Sequence, residues 1–273
     1  ALYNVVDRIF IGHIPGIGSY ALAGIGLAFP IILLVSAFSS LIGMGGAPLA
    51  SIRLGRGDRE GAERLMGNCV TALLVISAVL TTVFFIYRRP LLMLFGASEN
   101  TIEYAQSYLG IYLLGTVFVQ LSLGLNSFIN SQGFTKISMA TVTIGAVMNI
   151  VLDAVFINVF HWGVEGAALA TITSQAVSAI WVLAFLCGKK TVLKIRLKNL
   201  LPRPSLILPV LGLGLSPFVM QATESLLNIV LNSSLQHYGG DDAVFAMSLF
   251  SSVMQMSIMP LQGLTQGAQP ITS

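Results

Sequence analysis

The sequence has 273 residues, of which 55% are hydrophobic and only 9% are charged, with a mean hydropathy of +0.85 and a formal net charge of +3. Soluble domains usually carry about 25% charged residues, so this composition excludes an ordinary water-soluble domain. It also gives no basic footprint for nucleic acid. The composition predicts a multi-pass protein whose main partner is the lipid bilayer.

Eight hydrophobic stretches follow one another along the chain. A helix that crosses a bilayer needs about 20 mainly apolar residues, and most of the stretches reach that length. The first is short and is expected to be the second half of a helix. We place the spans at 1–14, 20–50, 62–87, 101–130, 137–160, 164–187, 206–236 and 243–271.

The basic residues predict the orientation of these spans. Eleven of the 14 Lys and Arg residues lie in the connections after the second, fourth and sixth spans, whereas Arg88 and Arg89 alone lie in the other connections. By the positive-inside rule, the first group of connections faces the cytoplasm. The basic segment 188–205 is long enough to link two halves of the protein.

An internal repeat supports a division into halves. The second span ends on GAPLAS at 46–51, and the eighth ends on GAQPITS at 267–273. The two copies lie an even number of spans apart, so they share one orientation, which is a parallel repeat. The second copy stops after two spans, so the natural chain is expected to have roughly 440–460 residues. The complete protein, not this stretch alone, is expected to be functional.

Three carboxylates fall well inside predicted spans: Asp7, Asp153 and Glu224. An ionisable side chain inside a membrane is costly and marks a functional site by default. Tyr3 precedes Asp7 by one helical turn, and Asn149 precedes Asp153 by one turn, so each pair shares a helix face.

Three further spans carry a polar stripe at helical spacing. Span four contributes Asn126, span six contributes Thr171, and Glu224 lies in a stripe with Gln221 and Asn228. In hydrocarbon these stripes must face one another or a water-filled cavity. The alternative, strongest for a lone Asn or Thr, is interhelical hydrogen bonding that contributes about 0.6 kcal/mol per bond.

Carboxylates combined with amide, hydroxyl and phenol oxygens favour a hard cation, so sodium or a proton would suit the site. Two acids in one poorly solvated pocket cannot both stay ionised without a cation. Transition metals are not expected, because the three histidines lie at span ends or in loops. No organic cofactor is expected.

Several motifs occur in an order that is similar to a known family. They read YNVVDRIFIG, ALAGIGLAFPI, LGRGDREGAERLMG, and NIVLDAVFI followed by GVEGAALATITSQ. Together they resemble the multidrug and toxic compound extrusion (MATE) family over nearly the whole chain. The resemblance implies an all-α polytopic membrane protein built as a parallel repeat of six-helix lobes, with about eight of twelve transmembrane helices here. The implied divisions are a first lobe at 1–187, a cytoplasmic linker at 188–205 and the start of a second lobe at 206–273.

The resemblance also implies a function and a site. The function is cation-coupled antiport that exports cationic, amphiphilic small molecules across the plasma membrane by alternating access, in a full-length monomer that is not an enzyme. The coupling ion is Na⁺ or H⁺. The implied cation-coupling residues are Asp7, Asn149, Asp153 and Thr171, and these four are the Na⁺ ligands if sodium is used. Tyr3 supports Asp7, and Asn126 is placed in the set by its neighbourhood.

The implied substrate site begins the second lobe. Some family members carry a glutamate shortly after Gly-Leu-Pro, and here the text is GLSPFVMQATE. Glu224 therefore matches that glutamate only if Ser216 takes the proline position. Gln221 and Asn228 lie on the same stripe and complete the predicted substrate-binding set.

Three other functions stay open from the sequence. A lipid-linked oligosaccharide flippase of the same superfamily would be expected to line its cavity with basic residues, and Arg8 is the single basic residue well inside a span. An intramembrane enzyme would need a motif such as His-Glu-x-x-His, which is absent. A passive channel is the third alternative, and the parallel repeat favours a transporter over it.

Overall fold

The computed structural model describes residues 2–12, 14 and 17–272, and within them the side chains of residues 7–12, 14, 17–196 and 198–258. All regular secondary structure in this part of the chain is helical, which confirms the all-α prediction. The helices are α1 (Leu2–Gly12), α2 (Gly18–Gly55), α3 (Arg59–Leu94), α4 (Ile102–Leu114), α5 (Thr116–Ser131), α6 (Thr135–Asp153), α7 (Gly163–Cys187) and α8 (Pro204–Thr272).

Two short elements complete the backbone. A π-helix over Ala154–Val159 continues α6, and a 3-10 turn over Leu197–Asn199 precedes α8. Within the described residues, 5 helices are long and apolar enough to cross a membrane, or 6 if α4 and α5 form one bent span. The sequence predicts eight spans, which is more than this number, because α1 has only 11 residues and α8 contains two of the predicted spans. The chain is a multi-pass membrane protein.

The predicted fourth span is broken into α4 and α5, which meet at an angle of 58°. Gly115 lies at the break, and a Cβ there would collide with the side chain of Ile172 on α7. The Gly115 N–H bonds to the Tyr112 carbonyl three residues earlier, at 3.0 Å. Glycine is a weak helix former, and this tighter bonding ends α4.

α8 is a helical hairpin. Its backbone leaves the helical conformation at Gly240, where φ is 64° and ψ is −162°, values that favour glycine. Asn232 and Ser248 lie eight residues on either side of Gly240, and both meet Gly26 of α2. The chain therefore folds back on itself. We name the two parts the first arm, 204–239, and the second arm, 241–272.

α2 forms the centre of the bundle and contacts α3, α4, α5 and α8. Pro30 lies inside α2 and has no N–H to donate, so the Gly26 carbonyl one turn earlier loses its helical partner. The Asn232 amide of the first arm donates to that carbonyl at 3.4 Å, and Ser225 donates to the Pro30 carbonyl at 2.8 Å. Neighbouring helices thus satisfy the backbone that a proline frees inside a membrane helix.

The segment before α8 is bound to the bundle by its backbone. The Gln132 side-chain carbonyl accepts from the backbone N–H groups of Val192 and Leu193, at 3.0 and 2.9 Å. Asn68 donates to the Asn199 carbonyl at 3.2 Å and accepts from the Arg203 N–H at 2.6 Å. The predicted linker is therefore ordered against α3 and α5, and the division of the chain into two lobes stays a prediction.

Glu63 on α3 is expected to stabilise this docking. Its side chain is 4% exposed and pairs with Arg196 at 2.8 Å and with Arg59 at 3.4 Å. Glu63→Gln removes the charged acceptor of both Arg59 and Arg196. The substitution should therefore lower the free energy of unfolding by about 1–3 kcal/mol. The measurement is thermal unfolding of the purified protein in detergent.

The matched control is Glu60→Gln, one turn earlier on α3. Glu60 is 59% exposed and pairs with Arg64 at 2.7 Å. Exposed pairs contribute little to stability, so this variant should melt close to the wild type. Equal loss in both variants would show that net charge, rather than the buried pairing, supports the linker.

Candidate functional site

Asp7 of α1 lies at the centre of a buried polar cluster. Its side chain is fully buried. One carboxylate oxygen accepts hydrogen bonds from the Tyr108 hydroxyl of α4 and from the Thr171 hydroxyl of α7, both at 2.7 Å. The other oxygen accepts from the Asn149 amide of α6 at 3.1 Å. Four helices therefore each contribute one side chain to the cluster.

Asp153 completes the cluster in a different way. It lies one turn after Asn149 on α6, is fully buried, and adjoins the carboxyl of Asp7. Neither Asp153 oxygen receives a hydrogen bond within the described part of the chain, and the Asn149 carbonyl oxygen also has no donor. Buried polar atoms are normally satisfied, so three oxygen atoms here call for a cation or a proton.

The backbone changes its winding at the same point. α6 ends at Asp153, and the next six residues form the π-helix Ala154–Val159. Short π-helical segments inside α-helices are frequent at functional sites. The Asp153 carboxyl lies at this change of winding, directly before the π-helix.

The donor set of the cluster fits a hard cation. Its possible ligands are carboxylate, amide and hydroxyl oxygens, the atoms that such cations prefer. Among the described residues, no three His, Cys, Asp or Glu side chains come together as a transition-metal site would need. Sodium or a proton therefore suits these residues, and which of the two binds stays a prediction.

Two predicted members of the cation site are placed differently. The side chain of Tyr3 lies outside the described residues, so its support of Asp7 stays a prediction. Asn126 is on α5 beyond the break at Gly115, and its amide donates to the Ser138 carbonyl at 3.4 Å. Ser138 precedes Asn149 on α6 by about 16 Å of helix rise. Asn126 thus does not hydrogen bond to the cluster.

The predicted substrate residues lie apart from the cluster, on the first arm of α8. Gln221 donates to the Ser40 hydroxyl of α2 at 2.8 Å. Glu224 is exposed, and Asn228 donates to its backbone carbonyl at 2.8 Å. The stripe therefore presents one free carboxylate beside two amides, of which one already binds α2.

Tyr108 is the member of the cluster that sequence analysis missed. It is fully buried, and its ring lies 6.4 Å from that of Tyr112 in a stacked arrangement. Tyr104, Tyr108 and Tyr112 recur one turn apart, and that spacing was the available signal for a phenol-bearing helix face.

Comparison with known proteins connects this geometry to a family. Residues 1–155, more than half of the chain, match the MatE family. The multidrug export protein MepA of Staphylococcus haemolyticus is 26% identical over 270 residues, covering 99% of this chain and 59% of the relative. The chain thus spans about three fifths of the length of the curated relatives it matches. These relatives are transporters and not enzymes.

Solved structures of transporters are also similar to this chain over most of its length. The MATE multidrug transporter DinF-BH is 37% identical, with a TM-score of 0.90 over 99% of this chain and 60% of that one. An inward-facing MATE family transporter of the MOP superfamily is 27% identical, with a TM-score of 0.90 over 96% of this chain and 59% of that one. An outward-facing structure of the same description scores 0.82, again at 27% identity, over 96% and 58%.

Proposed function

The chain belongs to the MatE family, and from that premise we propose that the complete protein is a cation-coupled antiporter. It exports cationic, amphiphilic compounds across the plasma membrane by alternating access, with Na⁺ or H⁺ as the coupling ion. The family relatives carry the multidrug export part of this proposal. The buried pair of Asp7 and Asp153 carries the coupling part.

The two acids have different surroundings, which supports different roles. Asp7 accepts three hydrogen bonds from side chains, so its ionised form is well compensated. Asp153 is fully buried and receives no hydrogen bond from the described residues, so its ionised form is costly unless an ion or a proton arrives. In this proposal Asp7 organises the site and Asp153 takes up the coupling ion.

Uptake of the ion also changes the electrostatic environment of Asp7. With Asp153 neutralised, the repulsion between the adjoining carboxylates disappears, and the ion can draw on the free carbonyl oxygen of Asn149. A ligand shifts a conformational equilibrium only as far as it prefers one conformer. The coupling ion therefore has to favour the conformer in which these oxygens converge on it.

The test is counterflow in proteoliposomes that contain the complete protein. A cationic dye is loaded, and a sodium gradient or a pH gradient is imposed separately. We expect uphill efflux with one of the two gradients and no efflux without a gradient. Equal rates with and without both gradients would support a passive pathway and contradict the proposal.

Glu224 is proposed to attract the cationic substrate. Its carboxylate is exposed on the first arm of α8, and no ion pair is formed with it by the described residues. Glu224→Gln removes the charge and keeps the shape, so transport of cationic compounds should fall more than transport of neutral ones. The measurement is kcat/KM for a matched cationic and neutral pair of substrates.

Asp242→Asn is the control for Glu224→Gln, since Asp242 is an exposed acid on the same helix near the hairpin tip. Asp242→Asn should leave the transport of both substrates unchanged. An equal loss of transport for both substrates in Glu224→Gln would instead indicate a structural or coupling role for Glu224.

A further inference from the structure

Arg8 is a buried cation next to the candidate site. Arg8 is 4% exposed and follows Asp7 directly on α1. Consecutive residues of an α-helix point about 100° apart around the helix axis. Asp7 therefore faces α4, α6 and α7, while Arg8 faces a different set of helices.

The partners of Arg8 lie on α2 and on the second arm of α8. One terminal nitrogen donates to the Ser248 carbonyl at 3.2 Å and to the Ser252 hydroxyl at 3.1 Å. The guanidinium also lies over the Phe29 ring of α2, 4.8 Å from its centroid, within the range of a cation–π contact. Arg8 thus joins three helices at one level of the bundle.

The helix backbones come close together at this level. A Cβ on Gly26 of α2 would collide with the side chain of Ser248, so the second arm and α2 touch there. From Ser248 onward, the second arm exposes the large apolar side chains Leu249, Phe250, Val253 and Met254 on its other faces, whereas Ser248 is buried. The second arm therefore packs on α2 near the hairpin tip by the face that carries Ser248.

The contact is of a kind that can open. These partners of Arg8 are all neutral, and no described carboxylate lies within ion-pair distance of it. Its Nε is buried and has no acceptor among the described residues. A hydrogen bond between a charged group and a neutral group is weaker than a hydrogen bond between two oppositely charged groups. Water can replace these partners if the helices part.

We infer that Arg8 is the positioning residue that connects the candidate cation site with the second arm of α8, holding this end of the interface closed until α1 moves. The inference rests on the proposed function. Asp7 and Arg8 are on one short helix, so a shift of α1 that follows ion uptake at Asp7 and Asp153 must also move the guanidinium. The shift removes Arg8 from Ser248 and Ser252, and the hairpin tip separates from α1 and α2.

The similarity to solved conformations agrees with this geometry. The TM-score is 0.90 for the inward-facing structure and 0.82 for the outward-facing one, at equal identity. The end of the bundle at which Arg8 lies is the predicted outer end, so an inward-facing conformer is the one in which this contact would be closed.

The experiment measures distances by electron paramagnetic resonance in the complete protein in nanodiscs. Spin labels are attached at Tyr20→Cys and Tyr238→Cys, whose native side chains are 42% and 88% exposed at the hairpin end. The background is Cys187→Ser, because Cys187 is exposed whereas Cys69 is buried. Sodium or acid is then added to each variant.

In Arg8→Met, we expect the ratio of separated to closed conformers to rise about tenfold, equivalent to about 1.4 kcal/mol, with little further response to the coupling ion. Arg8→Lys keeps the charge and should restore part of the closed population. Ser252→Ala removes one acceptor and should shift the ratio in the same direction. The matched control is Ser257→Ala, since among the described residues the Ser257 hydroxyl donates to Val253 of its own helix, at 3.0 Å.

Two results would overturn the inference. One is an unchanged distance distribution in Arg8→Met and Ser252→Ala, even if Asp7→Asn stops transport, which leaves the proposed function intact. The other is a distance shift in Arg8→Met together with full cation-driven transport by Asp7→Asn. In that case the proposed function itself fails, and Arg8 is a structural contact only. If Arg8→Met does not assemble, the Arg8→Lys and Ser252→Ala distances decide.

Discussion

Replacing Asp7 or Asp153 with asparagine is expected to abolish cation-driven efflux by the complete protein. The two acids are the carboxylic acids of the buried cluster, and asparagine cannot release or bind a proton or neutralise a sodium ion. Each variant should reduce uphill transport by at least about tenfold, which identifies loss of coupling rather than of binding when KM for substrate is kept. The measurement is efflux in proteoliposomes under an imposed ion gradient.

The two variants should differ in stability, because the two acids differ in hydrogen bonding. Asp7 accepts from Tyr108, Thr171 and Asn149. An amide cannot replace all of these acceptor positions, so Asp7→Asn should lower the free energy of unfolding by about 1–3 kcal/mol. Asp153 accepts no hydrogen bond from the described residues, so Asp153→Asn should unfold at or above the wild-type temperature.

The control for both is Glu103→Gln on α4, an exposed acid on the helix that carries Tyr108. It should leave transport and stability unchanged. Near wild-type uphill transport by either aspartate variant would exclude that residue from coupling. Its polar contacts would then serve to hold helices together.

A second large effect is expected at Gly214, where the first arm of α8 meets α2. A Cβ on Gly214 would collide with the Leu41 carbonyl, and a Cβ on Gly45 would collide with the Val210 carbonyl. Small residues on facing helices let the backbones approach in this way. Gly214→Leu should therefore force α2 and the first arm apart, lowering thermal stability by several kcal/mol and stopping transport.

Gly212 is the matched control for Gly214, two residues earlier on the same helix. Among the described residues, a Cβ at Gly212 meets no atom within 4 Å beyond its own helix backbone and chain neighbours. Gly212→Leu should therefore keep the melting temperature and the transport rate of the wild type, apart from a small gain in helix propensity. Similar damage in both variants would indicate that flexibility of the first arm, and not the close approach to Leu41, matters.

Much of the fold could be predicted from the sequence because hydrophobic length and helical period are local properties. A bilayer requires long apolar helices, and each predicted span coincides with a described helix or with one arm of α8, except the fourth, which is broken into α4 and α5. Spacing also put Asn149 and Asp153 on one face of α6. Asp7, a carboxylate inside a span, and Thr171, on a polar stripe, are candidates from the sequence itself. The family resemblance groups them with that face, and the structure brings both to it.

The remaining contacts were decided by tertiary structure, since spacing assigns a residue to a helix face but does not say which helix faces it. Tyr108 on α4 donates to Asp7, whereas Asn126, on α5 beyond the break at Gly115, donates to Ser138. Arg8 found its acceptors on Ser248 and Ser252, about 240 residues away in the sequence. Polar groups that are buried away from water need hydrogen-bond partners within the protein. Only the packing of the helices decides which partners they find.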